Sequence, residues 1–100
     1  MAQLVPKTEE RYVVALGPIK MEVIHLAGTV NVSDGTTQTG VDDADTVISV
    51  LQRPLFAIGS VTSDAVTINL STNIAISGKT LTVNNANIAA DNLAVLVFGF

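Results

Sequence analysis

Apolar and polar residues alternate with a period of two in several short runs of this chain. Val66, Ile68 and Leu70 interleave with Thr67, Asn69 and Ser71 over residues 65–71, and Leu81 and Val83 interleave with Thr80 and Thr82. Successive side chains of a strand point to opposite faces, so this pattern resolves into one apolar and one wet side only in a strand. Val, Ile and Thr supply 14, 8 and 11 residues, so β-branched side chains make up 33 of the 100. Their stiff χ1 suits a pleated sheet better than a helix. Aromatic residues are only 4% of the chain, which leaves the core to aliphatic packing.

Turn signals divide the chain into short strands. Residues 11–16 form the first candidate, closed by Gly17-Pro18, and residues 19–27 form the second. In the second, Ile24 and Leu26 share one face while Met21, Val23 and His25 share the other. A strand apolar on both sides is central in a sheet or covered by a partner. Val30 and Val32 suit a short strand before the Asp34-Gly35 turn, where Gly accepts positive φ. Residues 46–52 alternate until Arg53-Pro54 interrupts them, and residues 55–61 follow with a bend expected near Gly59. Residues 73–84 read as a hairpin around Ser77-Gly78-Lys79. After a polar, Ala-rich connection over 85–92, with room for a helical turn, residues 93–100 form a continuous apolar run that implies burial on both faces.

The expected fold is all-β: an antiparallel β-sandwich, jelly-roll-like in one arrangement, with an extended N-terminal arm. The arm is residues 1–10 and the single sandwich domain residues 11–100. In the arm, Pro6 lacks a ladder donor and holds Val5 extended, and the apolar Leu4-Val5-Pro6 suits docking on a neighbour.

Several function classes are disfavoured. The net charge is -4, and the five basic residues, Lys7, Arg11, Lys20, Arg53 and Lys79, form no cluster. Nucleic-acid binding needs a concentrated positive face, so no nucleic acid is expected as a partner. A membrane helix needs roughly 18 consecutive apolar residues; the longest apolar run here is residues 93–100, and no membrane partner is expected. Mean hydropathy is nonetheless high at +0.49, which suits surface covered by other subunits. No signal peptide is read at residues 1–11, which predicts synthesis in the cytoplasm. The absence of cysteine removes disulfides, thiolate metal sites and cysteine nucleophiles.

No enzyme is expected. His25 is the one histidine, and it lies in a strand without a nucleophile elbow elsewhere. Gly78-Lys79-Thr80 resembles the end of a phosphate loop, but Asn73 stands where that motif needs Gly. No catalytic residue, cofactor or metal is assigned. Asp34, Asp42, Asp43 and Asp45 could offer hard oxygen ligands to calcium, but without the EF-hand spacing or its closing Glu; an acidic turn is the simpler reading, and a calcium-dependent adhesion domain the competing one.

Gly17-Pro18-Ile19-Lys20-Met21-Glu22-Val23, the Asp-Gly and Thr-Gly-Val loop, and the terminal Leu96-Val97-Phe98-Gly99-Phe100 resemble small structural proteins of tailed bacteriophages, cyanophages included, of the capsid decoration or cement kind. The resemblance implies a virion protein on the capsid surface, homo-oligomeric and often trimeric. It would seat between major capsid protein subunits and stabilise the head. Interface residues are expected at Leu4, Val5 and Pro6 of the arm, at Arg11 where the arm meets the domain, and at Phe98 and Phe100 of the last strand. The alternative is a ligand- or carbohydrate-binding β-sandwich module of a phage tail or fibre, for which three Phe, one Tyr and no Trp provide few stacking platforms.

Overall fold

A computed structural model describes residues 2–63 and 71–100 of the chain. The strand expected over residues 65–71 falls almost wholly outside the described residues. The others fold into ten strands: β1 (Gln3–Val5), β2 (Arg11–Ala15), β3 (Lys20–Leu26), β4 (Val30–Val32), β5 (Thr37–Gln38), β6 (Thr46–Ile48), β7 (Pro54–Val61), β8 (Ser71–Ser77), β9 (Thr80–Asn84) and β10 (Leu93–Gly99). One 3-10 turn, Thr8–Glu10, precedes β2.

Hydrogen bonding runs without a break through the order β2-β3-β10-β7-β8-β9-β6-β1-β4-β5. All-β and mostly antiparallel is therefore the architecture. It is drawn as one curled sheet rather than as two detached layers, and β1–β6 is its parallel pair. Strand β8 turns the corner. Its Ser71 and Thr72 pair with Ser60 and Gly59 of β7, whereas Asn73 to Ser77 pair with β9.

The curl brings the inward faces of distant strands into one core. Leu4 of β1, Ile24 and Leu26 of β3, Val47 of β6, Val83 of β9 and Val95 and Val97 of β10 belong to a single buried cluster. Each such side chain contributes about 1.5–3 kcal/mol by leaving water.

Two expectations are corrected. The segment read as an extended arm is wired into the sheet: Leu4 pairs with Val32 and Val47 and is fully buried, Pro6 is buried beside it, and Asp45 accepts the Ala2 N–H at 2.8 Å. Leu4 and Pro6 find their cover inside their own chain, while Val5 stays exposed. The terminal run, expected to be buried on both faces, is buried on one. Along β10, Leu93, Val95 and Val97 are buried while Ala94, Leu96 and Phe98 are half-buried. The run ends at a register shift between Phe98 and Gly99. Gly99 is required there, because any Cβ would collide with the Arg53 carbonyl.

Candidate functional site

The β2–β3 hairpin sets the registers of the surface that follows. Gly17 takes φ +99° in its turn, a conformation that favours glycine, and the Leu16 N–H donates to the Ile19 carbonyl at 2.9 Å. From that closure Tyr12 pairs with Val23 and Val14 with Met21. Strand β10 then sets Leu96 against Val23 and Phe98 against Met21, and β7 sets Ile58 against Leu96 and Phe56 against Phe98.

Four strands thus carry two cross-strand rows on their outer face, Tyr12–Val23–Leu96–Ile58 and Val14–Met21–Phe98–Phe56. All eight side chains are apolar or aromatic. Tyr12, Phe56 and Ile58 are 56%, 54% and 56% exposed, and the rings of Phe56 and Phe98 stack with centroids 4.7 Å apart. Cross-strand pairs of this kind stabilise the sheet by about 0.2–1 kcal/mol each, yet the face as a whole stays open to solvent. The next row is His25–Ala94–Ser60, and there Glu10 Oε2 lies 3.0 Å from His25 Nδ1. The face thus has an apolar centre and one polar end.

The structure separates the residues expected at an interface. Leu4 and Pro6 are buried in their own subunit, so neither can form one; Val5 is exposed. Arg11 turns inward. Its Nη2 donates to the Ile48 carbonyl at 2.9 Å, and its Nε lies 3.2 Å from Glu22 Oε2 as an ion pair without hydrogen-bond geometry. Burial lowers the guanidinium's pKa, against the opposing pull of Glu22. Phe98 stands on the outer face. Phe100 is exposed beyond it, with the Arg53 guanidinium 5.7 Å from its ring centroid. The sequence reading missed Tyr12, Val14, Phe56 and Ile58, whose signal was the apolarity of residues 12–14 and 55–58 on both strand faces.

The charged residues of the interior are committed to the fold. Glu22, fully buried, accepts from the Ser49 hydroxyl at 2.6 Å and from the Val50 N–H at 3.2 Å, and Ser49 Oγ in turn accepts the Leu51 N–H at 3.0 Å. This clamp holds the chain between β6 and β7 against β3. Both the Ser49 hydroxyl and the Glu22 carboxylate are buried away from solvent in this clamp, and His25 is on the opposite face of β3. In the acidic loop, Asp45 accepts from Gln38 Nε2 at 2.6 Å and from the Asp42 N–H at 2.9 Å. Asp42 accepts the Ala90 N–H and Asp43 the Asn85 N–H. The carboxylates diverge onto separate backbone donors, and among the described residues no three acidic or histidine side chains converge.

No protein-family model, curated protein or solved structure matches this chain.

Proposed function

We propose that this chain is a structural protein that docks on neighbouring protein subunits through the outer face of β2, β3, β10 and β7. In the setting its sequence resemblance implies, it is a decoration subunit of a tailed-phage capsid, lodged between major capsid proteins on the virion surface. The observation that carries this reading is the pair of apolar rows, which no other described residue of the chain covers. Burying such a face gains roughly 25 cal/mol per Å² of apolar area, and exposed patches of this kind mark association sites. Repetition of the site around a closed shell would let modest individual contacts sum to firm attachment. The scarcity of basic residues is consistent with a subunit that meets protein rather than the packaged nucleic acid.

The test is co-sedimentation with heads assembled from the major capsid protein of the same phage, compared with unassembled coat protein. The expected result is binding to heads only, lost in a Phe56→Ser, Ile58→Lys double variant that keeps its β-sheet dichroism. Equal decoration by that variant, or no binding of the wild-type chain, would overturn the reading.

A further inference from the structure

The outer apolar face ends at β2, which is also one end of the strand order. The Leu16–Ile19 pair is hydrogen-bonded across the hairpin. Bonded and non-bonded pairs alternate along an antiparallel ladder, so Val14 and Tyr12 also turn their backbone groups toward β3. Arg11, Val13 and Ala15 must then turn their N–H and C=O groups outward, and among the described residues no strand pairs with them. Natural edge strands are guarded by Lys, Pro, a bulge or extreme shortness. The far edge, β5, is guarded by its length of two residues. Strand β2 has five residues and no such guard, since Arg11, its one charge, is drawn inward to Glu22 and the Ile48 carbonyl.

We propose that β2 is the pairing edge for a second copy of this chain, antiparallel and centred on Val13. That register is self-complementary. Val13 meets Val13 of the second copy, Arg11 meets Ala15, and Tyr12 sits across from Val14. Every outward N–H and C=O of the three residues then acquires a partner, and no like charges are opposed. Val13 lies on the same side of the sheet as Glu22 and Ile24 yet is 44% exposed; the dyad covers it. The pairing consumes the edge on both copies, so assembly stops at a two-fold dimer. In that dimer the outer rows run on from one copy into the other.

This inference concerns the edge of the sheet, whereas capsid docking concerns its face, so either can fail without the other. The test combines mass in solution by light scattering with amide hydrogen exchange on the full chain. The expected result is a dimer in which the Arg11, Val13 and Ala15 amides exchange at least about tenfold more slowly than in open chain. Val13→Lys places two ammonium groups at the dyad. It should give a folded monomer in which the Arg11 and Ala15 amides exchange freely while those of Tyr12 and Val14 stay protected. Should Val13→Lys lose its β dichroism, Val13→Pro replaces it, because it deletes only an outward N–H. A wild-type chain that stays monomeric up to about 1 mM overturns the proposal. So does an oligomer whose Val13 and Ala15 amides exchange freely, or one that both substitutions leave intact.

Discussion

The two faces of β3 and β10 are built from the same kinds of side chain and end in opposite environments. Inward, Ile24, Leu93 and Val97 are wholly excluded from water; outward, Val23, Leu96 and Phe98 are only half covered. Both faces are apolar for different reasons. The inner one is matched by β1, β6 and β9 across the curl and holds the subunit together. Among the described residues the outer one has no counterpart, so its apolarity adds little to folding; it is the face we propose a neighbouring protein covers.

Substitutions can break this comparison, beginning where the effect is largest. Glu22→Ala should destabilise by about 3–5 kcal/mol in denaturant unfolding, because it leaves Arg11 charged and half-buried without its carboxylate; a loss below about 1 kcal/mol would show the clamp to be dispensable. On the inner face, Leu93→Ala should cost about 2–5 kcal/mol by the same measurement. Phe56→Ala on the outer face should cost about 0.5–1.5 kcal/mol through its lost stack on Phe98. Ile58→Thr should lie within about 0.5 kcal/mol of wild type. If Ile58→Thr were as damaging as Leu93→Ala, the two faces would be equivalent and the distinction between them void.

The smallest effect lies far from either face. The Thr36 hydroxyl and then its N–H hold the exposed Asp34 carboxyl below its ordinary pKa. A carboxylate lowered in the folded state contributes stability above its unfolded pKa and loses it as pH falls through the lowered folded value. Thr36→Val should raise the Asp34 titration midpoint, followed by carboxyl chemical shifts, and should lower the melting temperature slightly at neutral pH, an effect that fades as the solution becomes acid. An unchanged midpoint would mean that the hydroxyl plays no part.

Local pattern carried much of the fold. Ser77-Gly78-Lys79 between alternating runs announced the β8–β9 hairpin, and Gly17-Pro18 announced β2–β3, because each turn needs residue types that stand out. Pairings between distant residues were not legible. Strand β1 is three residues long, and nothing near Leu4 signals that it lies between Val32 and Val47. Alternation puts Glu22 on the face of Ile24 and Leu26, but the partners that satisfy it there, Ser49 and Arg11, are ones local sequence cannot bring to it. Of the Asp-rich run only Asp45 turns inward, a choice made by Gln38 and the Ala2 N–H. For the candidate site, the double-sided apolarity of residues 19–27 and 93–100 was visible. The order of strands that sets Tyr12, Val23, Leu96 and Ile58 abreast was not, so of the proposed docking face only Phe98 was legible.

Strand β10, the last in sequence, lies between β3 and β7, and its Leu93 pairs with Leu26 and Val61. During translation the strands on its two sides are finished while the slot between them stands empty. A ribosome stalled before residue 93 would hold a nascent chain with two raw sheet borders and a core lacking Leu93, Val95 and Val97. Closure therefore waits on contacts far apart in sequence, the condition under which folding is slow and premature association most hazardous.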